Sequence, residues 1–308
     1  MPGTEDDATG WLEVAAGVLV RRHAGLDLNA TVVLGDDSCL VVDTRATLAQ
    51  GRRLADAVRR LTAAPWTVAC THDHFDHWYG NAAFAGPGVR VLGHEAGRFD
   101  DAGRADAVAY LRGDGDPVAA AQAASTPLVP PTDRVAARTR LELGGRHVLL
   151  VYHGRGHTDH DLLVEVPDAG VLVAGDLVEV CADPAMDDAY PLEWPVTLAR
   201  ALAGAAGRPP RTVVPGHGDV VGAEVADDQR ADLQRLADRA TELAAELATG
   251  LATGRAAGLA TGPVAGAATV PDDVLDRAAA GLPFDPATCR TAFRRVLAGT
   301  PGADPGHG

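Results

Sequence analysis

Short apolar, β-branched runs separated by turn residues dominate the N-terminal part of the chain, at Trp11 to Val20, Ala30 to Leu34, Cys39 to Val42 and Trp66 to Ala69. Runs of this length and composition predict strands. Between the third and fourth the apolar period lengthens. Leu48, Leu54, Val58 and Leu61 recur at helical spacing with Arg52, Arg53, Arg59 and Arg60 on the other positions, which predicts a helix over Thr47 to Thr62.

A second series of strand-like runs follows at Val89 to Leu92, Arg140 to Leu143, His147 to Tyr152, Leu162 to Val166, Val171 to Ala174 and Thr212 to Val214. Helical patterns fall at Glu95 to Leu111 and Val196 to Ala205. Several neighbouring strands are joined by a few residues only, which suits antiparallel hairpins better than the crossovers of a doubly wound parallel sheet. The order predicts an α/β (α+β) fold with two sheets and helices outside them.

Near Ala226 the pattern changes. Asp228 to Leu247 reads as a charged helix rich in Leu and Ala, and Ala248 to Thr269 is an Ala/Thr/Gly stretch in which Leu-Ala-Thr-Gly recurs at Leu247, Leu251 and Leu259. That composition predicts a linker. Pro271-Asp272-Asp273 restarts a helix with acids at the positive end of its dipole. A last helix, Pro286 to Ala298, presents Phe293, Val296 and Leu297 for docking, and Pro301 to Gly308 predicts a disordered tail. The chain therefore divides into a main domain over residues 8–225 and a helical C-terminal extension over 226–308.

Composition narrows the function. The 308 residues suffice for one large domain with a substantial core. The net charge is -15 and every basic side chain is Arg, with no Lys, so the clustered cations of a nucleic-acid binder are missing. The acidic, polar start of the chain is unlike a signal peptide, and no apolar run of about 18 residues predicts a membrane span. Cys39, Cys70, Cys181 and Cys289 lack paired spacing, which predicts reduced thiols in a cytoplasmic protein.

The chemistry concentrates in His72-Asp73-His74-Phe75-Asp76-His77, directly after an apolar run. Imidazoles and carboxylates packed so closely are costly to hold together unless a cation sits among them, and a metal ion is the obvious one. His72 and His74, two apart, point to the same side of an extended segment. Asp76 and His77 come where a turn gives way to a helix and diverge enough to serve a second ion. His157, Asp176 and His217 each lie at or just beyond an apolar strand with glycine beside them, at Gly156, Gly175 and Gly216, which lets the backbone approach closely.

The segment Thr71 to Asn81, with Asp43 after Val41-Val42 and then His157, Asp176 and His217 in order, resembles the metallo-β-lactamase-fold hydrolases over roughly residues 12 to 222. The resemblance implies a four-layer αββα sandwich of two mixed β-sheets flanked by helices. It implies that His72, His74 and His157 hold one metal, that Asp76, His77 and His217 hold another, that Asp176 bridges them, and that Asp43 orients a ligand imidazole from behind. Two zinc ions are expected, and a donor set of His and carboxylate also tolerates Fe or Mn. Such a pair makes hydroxide available at neutral pH, with Asp76 placed to orient it or to shuttle a proton.

The implied activity is hydrolysis of a small ester, thioester, lactone or amide, by a glyoxalase II-like or lactonase-like enzyme. Asp176 stands where many true β-lactamases of this fold carry a cysteine, which argues against antibiotic hydrolysis as the main role. An iron-dependent sulfur dioxygenase of the same fold and a non-catalytic metal-binding scaffold are the alternatives. Trp78, Tyr79, His160, Tyr190 and Trp194 are candidates for the pocket wall, each weighed against a core or structural role. The expected partner is a small molecule, with neither nucleic acid nor membrane, and the oligomeric state stays open.

Overall fold

The computed structural model describes residues 10–252 and 270–299. Its first half runs β1 (Leu12–Ala15), β2 (Val18–His23), β3 (Leu28–Leu34), β4 (Cys39–Val42), α1 (Leu48–Leu61), β5 (Trp66–Ala69), α2 (Phe75–Trp78), β6 (Val91–His94), α3 (Arg104–Gly113), α4 (Pro117–Ala123) and β7 (Asp133–Val135). The second half runs β8 (Arg138–Glu142), β9 (His147–Tyr152), β10 (Leu162–Val166), β11 (Val171–Glu179), α5 (Trp194–Ala203), β12 (Thr212–His217), β13 (Val221–Gly222), α6 (Ala223–Ala252), α7 (Asp272–Ala279) and α8 (Pro286–Leu297).

Period-two alternation in the strands builds the layers. Leu40 and Val42 of β4 meet Leu162 and Val164 of β10 in a core shared by the two halves. The intervening Cys39 and Val41 face outward onto Leu54 and Val58 of α1 and Leu111 of α3. Leu163, between the inward residues of β10, faces the opposite outer layer, formed by Leu198 of α5, Leu236 of α6, Leu275 of α7 and Phe293 of α8. This is the expected αββα order. The two sheets are continuous at one place: β12 joins β3 through the single pair His217 and Leu28.

Within the first half, β4, β5, β6 and β7 are parallel neighbours, while β2, β3 and β4 are antiparallel. In the second half β8 to β11 are antiparallel and β11 runs parallel to β12. Both sheets are therefore mixed. The ends of β4, β5, β11 and β12 converge on the same rim, where loops held by rigid strands carry the candidate ligands.

Several sequence expectations change. The run Trp11 to Val20 is two strands, because Gly17 (φ 69°) turns the chain back on itself. Of the helix expected over Glu95 to Leu111 only the part from Arg104 forms. Phe99 is held at φ 45°, and the backbone N–H of Arg98 donates to Asp73 Oδ2 at 2.8 Å, so residues 95–103 are a loop fastened to the ligand segment. Helix α4 was not foreseen, although Pro117 at its first position and Asp116, accepting from the Ala119 N–H at 2.7 Å, are ordinary start signals. Helix α6 continues through Ala252, past Ala248 where composition suggested a linker. The rest of that stretch, 253–269, and the expected tail lie outside the described residues.

Candidate metal centre

Strand β5 delivers the first ligands. After Ala69 the chain bends through residues 71–74, which carry His72 and His74, with His74 in extended backbone just before α2, and Asp76 and His77 lie within α2. His157 comes from the loop between β9 and β10, Asp176 from β11, and His217 from the end of β12. Residues from both halves thus meet at one point. His72, His74, His157 and Asp176 form one group that could hold a metal ion, and Asp76, His77 and His217 form a second.

Close backbone approach makes the meeting possible. A β-carbon at Gly216 would lie 1.7 Å from Asp176 Oδ1, and one at Gly175 (φ 53°) would lie 2.8 Å from the Thr71 side chain. Glycine is required at both positions.

Each imidazole is turned so that one nitrogen faces the centre. His77 Nδ1 pairs with Asp43 Oδ2 at 2.9 Å, and the same carboxylate accepts from the Thr71 N–H at 2.8 Å and the Thr71 hydroxyl at 2.9 Å. Thr71 Oγ1 in turn meets His72 Nδ1 at 3.1 Å, so Asp43 fixes two rings, one directly and one through Thr71. His217 Nδ1 faces the Leu26 carbonyl at 2.6 Å, His74 Nε2 meets Asp188 Oδ2 at 3.1 Å, and His157 Nδ1 lies 3.7 Å from Glu179 Oε1.

The inward atoms surround Asp176. Its Oδ2 is 3.6 Å from His72 Nε2, 3.6 Å from His157 Nε2 and 3.4 Å from His217 Nε2, while Oδ1 is 3.4 Å from His77 Nε2. Asp76 Oδ2 is 3.6 Å from His77 Nε2 and 3.4 Å from His217 Nε2. His157 Nε2 and His74 Nδ1 are 3.0 Å apart.

The donor set fits a metal on two counts. His72 Nε2, His77 Nε2 and Asp176 Oδ1 are buried polar atoms without a hydrogen-bond partner, a costly condition unless something else satisfies them. The spacing of the inward donors is also close to the edge of a tetrahedron with metal–ligand bonds of 2.0–2.1 Å, about 3.4 Å.

Electrostatics agrees. Burial holds His72 well below the usual imidazole range and His157 down at about 4, leaving both neutral, as a metal ligand must be. Burial also opposes charge at His77 and His217, but Asp176 and Asp76 overcome it, lifting His77 well above its ordinary value and His217 to about 10. These carboxylates make the centre a place that draws a cation, whether proton or metal.

In front of the centre lies a cavity of about 830 Å³. Of the five residues considered for its wall, only Tyr79 lines it among the described residues. Trp78 and Trp194 are core, with indole N–H groups donating to the Asp73 and Leu177 carbonyls. Tyr190 packs under Arg155 and Arg295, and buried His160 pairs with Asp73 and Asp159. The apolar wall is made instead by Phe75, Phe99 and Tyr110.

Sequence reading also missed Asp188 and Glu179. Asp188 gives no local signal, because its tie to His74 is purely tertiary. Glu179 did give one, as a carboxylate ending an otherwise apolar strand, and burial pushes its acid up to about 8.

The profile of the metallo-beta-lactamase superfamily matches residues 25–217. Metallo-beta-lactamase type 2 of Bacillus cereus is 33% identical over 85 residues, a stretch that spans 27% of this chain and 32% of that relative. A metallo-beta-lactamase from Pontibacter korlensis superimposes with a TM-score of 0.57 at 19% identity, covering 73% of this chain and 99% of that one. The mono-zinc form of the Pseudomonas aeruginosa metallo-beta-lactamase FIM-1 superimposes with a TM-score of 0.57 at 16% identity, covering 76% and 98%. At these identities the structural likeness speaks for the fold alone.

Proposed function

The chain belongs to the metallo-beta-lactamase superfamily, and from that premise we propose that it is a dinuclear, zinc-dependent hydrolase of small ester, thioester, lactone or amide substrates. The observation that carries this reading is the convergence of two donor groups on Asp176, which lines the cavity, with buried donor atoms of Asp176, His72 and His77 that lack hydrogen-bond partners. His72, His74 and His157 would hold one ion and Asp76, His77 and His217 the other, with Asp176 between them. When bound, such ions supply Lewis acidity to a substrate oxygen and lower the pKa of water toward about 7.

The chain's own residues do the rest. Asp43, Thr71, Asp188 and the Leu26 carbonyl fix the ring orientations, so the donors need no reorganisation on loading. Asp76, at the cavity surface, accepts the proton of the attacking water at its carboxylate and returns it to the leaving group. The aromatic wall of Phe75, Tyr79 and Tyr110 excludes water around the scissile bond. The four free thiols fit a reducing compartment, and the cytoplasm is the location proposed with this activity.

The test is metal quantification on one preparation, combined with a panel of esters, thioesters, lactones, amides and β-lactams. About two equivalents of zinc are expected, with turnover abolished in Asp176→Ala. A protein without stoichiometric metal, or undiminished hydrolysis by Asp176→Ala, sinks the reading. Turnover that requires iron and consumes dioxygen would replace it with the oxygenase.

A further inference from the structure

We propose that the cavity recognises substrates bearing a positively charged, alkylammonium-type group beside the hydrolysable bond, and turns away anionic ones. The proposal deepens the hydrolase reading by naming a substrate class, and its charge preference rests on the cavity wall rather than on the metal ligands.

Among the described residues lining the cavity, ten are Asp or Glu and one, Arg98, is a permanent cation. Five of the ten carboxylates are already engaged. Asp76 and Asp176 belong to the metal centre, Asp27 is paired with Arg22, Asp73 with His160 and Asp188 with His74. The remaining five stand on two facing walls. Asp100 and Asp106 come from the loop before α3 and its first turn, on the side of the first sheet. Glu179, Asp183 and Asp187 come from the end of β11 and the segment after it, on the side of the second. Three of them accept hydrogen bonds from backbone N–H groups, Asp100 from Ala102, Glu179 from Ala185 and Asp183 from Asp285. None of these five carboxylates is paired with an arginine.

Aromatic faces accompany the charge. Phe75 and Tyr110 pack with ring centroids 5.9 Å apart, and Tyr110 is 59% exposed, so its ring is open to a ligand. Ammonium groups bind where carboxylates and ring faces occur together.

The cavity is therefore bipolar. Its inner end, built to hold cations, takes the electron-rich carbonyl of a substrate, and its acidic mouth takes the positive end. A substrate with the opposite charge at its outer end meets the carboxylates of Asp100, Asp106, Asp183 and Asp187, a repulsion that serves as discrimination, while Glu179, whose acid burial holds at about 8, adds a hydrogen-bonding group rather than a charge.

The test uses two isosteric probe pairs on the metal-loaded protein. Acetylcholine and 3,3-dimethylbutyl acetate differ in charge and not in shape, as do choline and 3,3-dimethylbutan-1-ol. Hydrolysis is read as kcat/KM for the esters and binding by calorimetry for the alcohols. At about 20 mM salt the cationic member of each pair is expected to be favoured about tenfold or more, shrinking to about threefold at about 0.5 M, where charges are screened within several ångströms. Asp106→Asn with Asp187→Asn should cut the preference several-fold, and 2-sulfoethyl acetate should be the poorest ester. Equal or better binding of the neutral alcohol, or a preference that ignores salt, overturns the proposal. Choline favoured in binding, with no member of the ester, thioester, lactone, amide and β-lactam panel cleaved, leaves cation recognition standing and sinks the hydrolase reading, whereas cleavage without charge preference does the reverse.

Discussion

Gly216 shows how tightly single residues constrain the centre. Its backbone tolerates a side chain, since its φ is not in the left-handed region, but a β-carbon would occupy the space of Asp176 Oδ1. Gly216→Ala should keep the fold and lower metal affinity by about tenfold or more, the scale of supporting-residue changes at metal sites, checked by competition with a chelator dye and by circular dichroism. Asp161 makes a pH-dependent case. Burial raises its acid from 3.8 to about 7, against hydrogen bonds from the Thr158 N–H and hydroxyl. The folded state therefore prefers the protonated form, and its contribution is present below about pH 4 and lost as pH rises to 7. In urea titrations the wild type should lose up to about 4 kcal/mol relative to Asp161→Asn across that window, at about 1.4 kcal/mol per pKa unit. A gap that stays constant with pH would refute this. At this scale the sequence was legible where candidate ligands are neighbours, as from His72 to His77, and at Asp43, whose place after an apolar strand is itself a signal. It was not legible at Asp188 or the Leu26 carbonyl, whose roles exist only once distant loops meet. For the large aromatics the core reading holds over the pocket reading weighed against it: Trp78 and Trp194 offer so much apolar surface that the core claims them.

Elements were readable from their periodicity and less so from their breaks. Helix α1 lies where the pattern put it, and its start is a Thr-x-x-Gln signal: Thr47 Oγ1 accepts from the Gln50 N–H at 3.2 Å while Gln50 Oε1 accepts from the Ala46 N–H at 3.1 Å. The expected helix over Glu95 to Leu111 failed in its first half because tertiary ties outweigh propensity there. Arg98 is bonded to Asp73, and Phe99 packs its ring 5.4 Å from Trp78. The C-terminal helices belong to the core of the second sheet, where Phe293 of α8 is fully buried with Leu236 and Leu275. Phe293→Ala should cost about 3–5 kcal/mol, seen as a lower urea midpoint with unchanged slope, and a loss below about 1 kcal/mol would mean that α8 is not part of that core.

On the scale of the molecule, two sheets with helices outside them were legible from the short connections between strands, and the four-layer order from the family resemblance, whereas the backbone link between the sheets was not, because one residue pair leaves no pattern. The candidate ligands divide between the halves, with His72, His74, Asp76 and His77 from the first and His157, Asp176 and His217 from the second. Metal bound at these candidate ligands would therefore cross-link the sandwich at its rim. With metal at about a hundredfold its dissociation constant the folded state gains about 2.7 kcal/mol, so chelation should lower Tm by about 4 °C for a chain of this size, measured by differential scanning fluorimetry. An unchanged Tm would mean that the rim is held without metal. The seam itself carries a further consequence. His217 pairs with Leu28 through its backbone, its ring faces the centre, and the next N–H, of Gly218, donates to the Asp27 carbonyl at 3.0 Å. In heavy water the Gly218 amide can exchange its proton only when that seam parts. Its exchange rate should slow on metal loading and recover on chelation, a clock for opening of the sandwich that runs without any substrate.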